Sequence, residues 1–532
     1  MAEDPDFWAE RLVKQITSQK RRVYVCEGGW SPSGYFHIGN ARPEIMTPYS
    51  VYLKLKEAGF KAKQILFVDD FDPIDKIPAG IPVKKQDEGK FIGVPCVFAP
   101  SPFKGYKSWS GYFTSQLTDV IEDFGFELEI QSSFQNYKSG RMNDLIRFSL
   151  DNSSQIVETW NRISGSEKPL GFLPVVVTCE GCGKSLFSKT TSWDGKAVEY
   201  ECKCGFKGRV SPMDGRAKLH WRVHWVANWI VNDVAFESGG KDHFSSGGSV
   251  DVARALMQDV FKKKAPFQVP TEFLNLKGAK MSGSLGNVFG LKQWLEIASP
   301  DLFRFLFFSY KPNSAIDFNV SDNSFILLNE RFERAERIYY SEEMAENEKL
   351  SRKQANAYSL SVVGRPSKKR PLRIPYSFAV QLVQFLNPEK QFNELTNLLR
   401  QTGHIKQAPS KAQSLELALL FKRARKWVLD YAPEEFRVSF SETLSPEAKA
   451  AISSEAKSLL PGLSKAIAGA KTADEIQQAI FNTAKQNNVQ PKALFNAVYL
   501  ALVGKESGPR AGLLIIGLGK GKCVKRLVEA AA

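Results

Sequence analysis

The period of the apolar positions changes along the chain, and each change predicts an element. Arg22 to Cys26 is a short β-branched run that breaks at Gly28 and Gly29. Ser31-Pro32-Ser33-Gly34 then leads into His37-Ile38-Gly39-Asn40, so a strand is followed by a glycine-rich turn. From Pro43 to Ala58 apolar residues recur at helical spacing (Ile45, Met46, Tyr49, Tyr52, Leu53), with Pro43 suited to a first turn and Gly59 to a stop. Ile65 to Val68 predicts a second buried strand ending in Asp69-Asp70. Strand, glycine turn, helix, strand opens a doubly wound, Rossmann-type α/β fold, whose ligand crevice lies at the carboxyl ends of the strands.

The stretch 84–215 breaks this rhythm with Gly, Ser, Phe and Lys, and reads as an insertion. Parallel-sheet character returns around Leu219 to Val234 and Glu272 to Leu276, and a polar segment over 341–376 reads as a linker or long loop. From Pro375 onward Ala, Leu, Lys and Gln dominate and β-branched runs are scarce, which predicts an all-α domain. The expected plan is a catalytic domain over 1–83 and 216–300, an inserted connective domain over 84–215, a junction and linker over 301–374, and a helical domain over 375–532.

Charge narrows the partner. Seventy-two Lys and Arg against 57 Asp and Glu give a formal +15, a field that attracts polyanions, either nucleic acid or an anionic membrane surface. No apolar run approaches the roughly 18 residues of a spanning helix, and the acidic opening MAEDPDFWAE lacks a signal pattern, so a cytoplasmic protein is expected. Four of the seven Cys form one cluster, Cys179-x2-Cys182 and Cys202-x-Cys204, with 19 residues between the pairs. That spacing suits a closed, structural tetrahedral zinc site. No Cys or His occurs between 97 and 178, so one zinc is expected.

Two loops carry candidate chemistry. In a glycine-rich strand-to-helix turn the backbone N–H groups can approach phosphates, with His37 as a donor. Lys280-Met281-Ser282-Gly283-Ser284 follows the strand-like Phe273 to Leu276, where a lysine could swing over a triphosphate and neutralise charge at phosphorus and leaving pyrophosphate. Together, the H-x-G-N turn and the K-M-S-x-S loop resemble the paired signatures of class I aminoacyl-tRNA synthetases. Pro32 to Asn40, Trp221-Arg222-Val223-x-Trp225, Gly240-Lys241-Asp242-His243, Tyr431 to Arg437 and Gly508-Pro509-Arg510 most resemble the class I lysyl-tRNA synthetase family.

The resemblance implies ATP-dependent activation of L-lysine, ATP arriving with Mg2+, and transfer of lysine to the terminal ribose of its tRNA. It implies His37, Asn40 and Lys280 as catalytic residues, with Gly39, Gly240, Asp242, Ser282 and Ser284 around ATP. It places Gly29, Ser31, Trp221 and His243 around the amino acid, and makes the C-terminal helices an anticodon-binding domain. A monomer is expected. For the lysine ammonium, Glu27, Asp69, Asp70 and Asp72 all remain open, since carboxylates after strands also cap helices. Trp221, Trp225 and Trp229 fall at i, i+4 and i+8, and two of the three are expected to be core residues. Phe421-Lys422-Arg423-Ala424-Arg425-Lys426-Trp427 sets bases beside aromatics, which predicts tRNA contact through Arg423, Arg425 and Trp427. Two positions depart from the family: Gly283, where many class I enzymes have a second lysine, and His224, where an acidic residue is expected. A class I synthetase for another amino acid, such as glutamate, and a non-catalytic tRNA-binding paralogue are the alternatives. Glutamate would call for arginine in the pocket.

Overall fold

The computed structural model describes residues 7–276, 278–281, 288–437, 440, 443–508 and 510–532. The chain forms two compact units. The first comprises Met1–Trp294, Phe303–Phe318 and Met344–Pro366, the second Leu295–Leu302, Asn319–Glu343 and Ser367–Ala532.

The first unit is built on a five-stranded parallel sheet. Its strands are β1 (Tyr24–Trp30), β2 (Ala62–Val68), β3 (Leu128–Ser132), β4 (Val234–Gly240) and β5 (Phe267–Thr271), in the spatial order β5-β4-β1-β2-β3. The order reverses at β1, with β2 on one side and β4 on the other, so a crevice opens at the carboxyl ends of β1 and β4. Strand β3 lies within the stretch read as wholly inserted. Its short sequence LEIQS is only half-buried at the sheet edge, so it carries no apolar run to reveal it.

After β1 the chain turns at His37, makes one wide turn over Arg42–Met46 and continues as helix α1 (Thr47–Glu57). The wide turn lies directly on β1. A Cβ on Gly28 would sit 2.1 Å from the Glu44 carbonyl oxygen, so only glycine permits this approach. Helix α2 (Trp221–Val231) supplies Val223, Val226, Ala227 and Trp229 to the core that contains Val25, Ile65 and Val234. The three-stranded antiparallel ribbon of Ser188–Trp193, Val198–Cys202 and Lys207–Val210 adds Val198 and Tyr200 to the same cluster.

The second unit is helical, with a core formed by Leu460, Leu463, Ile476, Ile480, Val498 and Leu514 among others. The polar stretch expected to be a linker contains a helix, Glu348–Ser361, which belongs to the first unit and buries little beyond Ala357, Tyr358 and Leu360. So few buried positions leave no apolar stripe to read.

Candidate active site

Two adjoining cavities occupy the crevice. The larger, about 410 Å3, is lined by His37, Gly39, Asn40, Gly240 and Asp242, and by Met281. The smaller, about 210 Å3, is lined by Gly29, Ser31, Trp221, Trp225 and His243. Both share Trp30, Ser31, Glu44, Gly240 and His243. Of the residues expected around ATP, Gly39, Gly240 and Asp242 line the larger cavity, and all four expected around the amino acid line the smaller, with Ser31, Gly240 and His243 common to both.

The His37 turn is held by its own polar groups. Asn40 N donates to His37 Nδ1 at 3.3 Å, and His37 N donates to Asn40 Oδ1 at 3.2 Å, a reciprocal cap on the helix start. With Nδ1 accepting, neutral His37 carries its proton on Nε2. Ala279–Lys280 pairs antiparallel with Leu274–Leu276, which brings the start of the K-M-S-x-S loop beside the cavity through Met281. The Lys280 side chain, Ser282, Gly283 and Ser284 lie outside the described residues.

The smaller cavity is dominated by carboxylates. Glu237, on β4, accepts from Trp225 Nε1 at 2.9 Å and from Trp229 Nε1. Burial pushes its carboxyl up to about 8. Glu44, from the wide turn, accepts from Gly29 N at 2.9 Å. Burial and then the Glu237 charge push it well above the usual carboxylate range, against that hydrogen bond. Among the described residues neither forms an ion pair. Both were missed in the sequence, where a lone Glu inside the strand Val234-Ala235-Phe236-Glu237 was the available signal.

The four carboxylates left open have different fates. Glu27 is fully buried and accepts from Asn228 Nδ2 at 2.5 Å and Asn232 Nδ2 at 3.1 Å. Asp70 accepts from Ser132 Oγ and from Phe134 N at the start of helix Ser133–Lys138, a capping role. Asp69 and Asp72 line the cavity but are bound to Lys218, whose Nζ lies 2.7 and 2.6 Å from the two Asp69 oxygens. Ser31 Oγ donates to Asp72 at 3.0 Å. His224 is buried and lines the same cavity. Tyr137 Oη already accepts from Leu219 N, so its proton goes to His224 Nδ1 at 2.8 Å. Burial and then the Lys218 charge hold the imidazole well below its usual pKa, hence neutral, with Nε2 3.4 Å from Asp69 but unaligned. Of Trp221, Trp225 and Trp229 only Trp229 is core, at 2% exposure; Trp225 and Trp221 face the cavity, and Trp221 is 39% exposed. The expectation of two core tryptophans fails: one turn nearer the helix start than Trp229, Trp225 is only partly buried against the core and its ring lines the pocket.

Cys179, Cys182, Cys202 and Cys204 converge with their sulfurs all within 4.8 Å of one another and two pairs at 3.7 Å. Zinc–sulfur arms of about 2.3 Å give tetrahedral edges of about 3.8 Å, so the set fits zinc despite the tight C-x-C pair. Gly183 and Gly205, each following the second Cys of a pair, take φ of 73° and 92°, which lets both turns close around the sulfurs.

In the second unit α3 (Lys411–Asp430) carries the expected tRNA-contact residues. Trp427 is fully buried, with Nε1 donating to the Val320 carbonyl at 2.7 Å and its ring stacked on Phe325, so its ring is a core element and offers no face to a base. Arg423 and Arg425 donate to the carbonyls of Leu295 and Val383, tying α3 to neighbouring segments. Basic residues beside an aromatic on a helix are equally the signature of such packing.

A parallel doubly wound sheet with paired cavities at its switch point defines a nucleotide-binding α/β protein. The chain belongs to the family of tRNA synthetases class I (K), which matches residues 6–364. An anticodon binding domain matches residues 379–531. Similar curated proteins are the lysine–tRNA ligases of Pyrococcus horikoshii, 30% identical over 98% of this chain and 99% of that protein, and Methanocaldococcus jannaschii, 31% identical over 98% and 99%. That of Methanococcus maripaludis is 33% identical over 96% of this chain and 98% of its own length. Among the described residues, no helix is long and apolar enough to cross a membrane.

Proposed function

We propose that the protein is a lysine–tRNA ligase, activating L-lysine with ATP and transferring it to the terminal ribose of its tRNA. The observation that carries this reading is the smaller cavity. It holds two enclosed carboxylates, Glu44 and Glu237, without a cation, beside the faces of Trp221 and Trp225. Lysine brings two ammonium groups and a methylene chain, which complete that charge deficit and cover the aromatic walls. Glutamate would add a carboxylate to the same space, where like charges repel. The lysine–tRNA ligases similar to this chain support the same choice.

In this reading the lysine carboxylate attacks the α-phosphate of ATP, expelling pyrophosphate, and the 3′-terminal ribose hydroxyl then attacks the acyl carbon, releasing AMP. The protein contributes alignment and charge stabilisation. His37 Nε2 and Asn40 lie at the phosphates, Lys280 at the transition state with Ser282 and Ser284 on its loop, and Asp242 at the nucleotide ribose with Gly39 and Gly240 giving backbone access. Gly29, Ser31 and His243 frame the amino acid. Mg2+ accompanies ATP, and the four cysteines hold a structural zinc. The test is aminoacylation of total tRNA with each labelled amino acid in turn. Charging with lysine alone is expected. Charging with glutamate, or tRNA bound without charging, would overturn the reading.

A further inference from the structure

Beside the mouth of the smaller cavity lies a cluster that the chemistry above leaves unused. Lys168 Nζ sits 4.6 Å from the ring centres of both Trp160 and Phe172. The Arg222 guanidinium lies 5.0 Å from the Trp160 ring and 5.2 Å from that of Trp221. Trp160 also packs on His220, ring centres 5.0 Å apart. Two cations therefore share one aromatic platform.

The cluster is incomplete as it stands. Among the described residues no carboxylate pairs with Lys168 or Arg222, and burial, with the Arg222 charge after it, holds the Lys168 ammonium below its usual pKa. His220 between them is no counter-ion: burial and then Lys168 lower it to about 4, so it is neutral. Three enclosed polar atoms in the cluster, Trp160 Nε1, His220 Nδ1 and Arg222 Nε, have no hydrogen-bond partner, although Trp160 is only 2% exposed. Two neighbouring cations set only against ring faces, with no carboxylate among the described residues to neutralise them, describe a site that accepts an anion.

Resting on the reading of the protein as a tRNA ligase, we propose that Lys168, Arg222 and the Trp160–Trp221 aromatics bind the single-stranded 3′ end of the tRNA, the cations holding phosphodiesters and the exposed Trp221 ring bearing a base. Position favours this occupant. Trp221 belongs both to the cluster and to the amino-acid cavity, so a strand lying there delivers its terminal ribose beside the acyl group. Aromatics interleaved with cations are the common means of holding unpaired RNA.

The test compares binding of the full chain to the tRNA that it charges, intact and trimmed of its single-stranded tail. Trimming should weaken binding to the unaltered protein by about tenfold and to K168Q/R222Q by about twofold at most. In aminoacylation, Lys168→Gln alone should raise KM for tRNA about three- to tenfold while KM for lysine and ATP stay within about twofold, and Lys168→Arg should restore it. Thermal unfolding of each variant establishes that it is folded. A full trimming penalty retained by folded K168Q would overturn the proposal. So would loss of pyrophosphate inhibition with tail dependence unchanged, since the cations would then hold the leaving group. Because the trimming comparison uses whichever tRNA is charged, a different amino-acid specificity would overturn the lysine reading without touching this one.

Discussion

A carboxylate enclosed without a cation prefers its proton, and the smaller cavity holds two such groups. If Glu237 must be ionised to receive an ammonium, kcat/KM for lysine should rise with pH up to about 8 and level off above it. Glu237→Gln should raise the lysine KM at least about tenfold, leave the ATP KM within about twofold, and remove that acid limb. Steady-state kinetics over a pH series checks all three. The same shift has a stability consequence. Between pH 4.5 and about 8 the folded, lysine-free protein keeps a proton that the unfolded chain has released, so stability from this group falls as pH rises. A Tm that drops less steeply over this range in Glu237→Gln is expected. The residues of the His37 turn, which line the larger cavity, were legible as a motif because turn chemistry is local. The anionic residues were not, because burial decides which carboxylate is available: Asp70 went to a helix start, Glu27 to two asparagines, and Asp69 with Asp72 to Lys218.

Among the elements, the wide turn after β1 fixes the site by pressing against Gly28 and offering Glu44 to Gly29. Gly28→Ala should force the turn from the sheet, destabilising the protein by about 1–3 kcal/mol. It should also raise the lysine KM, read by denaturant unfolding and kinetics. Both strands around this turn were predicted from their apolar runs, since they are central in the sheet, but β1 continues through Gly28 and Gly29, expected to break it, as far as Trp30. The edge strand β3 and the helix Glu348–Ser361 were not, since neither buries enough side chains to impose a period. The cysteine ribbon was legible from spacing alone, whereas its packing was not: Val198 and Tyr200 share a core with Trp229, which bonds Glu237. Metal analysis should find about one zinc per chain, and its removal by chelator should lower Tm and raise the lysine KM together. An unchanged lysine KM in the stripped protein would separate the ribbon from the pocket.

For the whole molecule, the charge of +15 predicts polyanion binding that fades with salt: log KM for tRNA should climb linearly with log salt, while KM for lysine changes little. Composition made that much visible, but the division of the chain into units was not visible, because it is set by packing among distant segments. The chain passes from one unit to the other at 294/295, 302/303, 318/319, 343/344 and 366/367. The helical unit therefore borrows two earlier segments, and one of them carries Phe325, stacked on Trp427, and the Val320 carbonyl that its indole bonds. A fragment starting at residue 375 would leave Trp427 without either, and a growing chain cannot close its first unit until residue 366 has left the ribosome. Catalytic and helical halves of this enzyme are thus sewn together by the thread itself, and a single cut after residue 366 leaves the first whole while stripping the second of two of its segments.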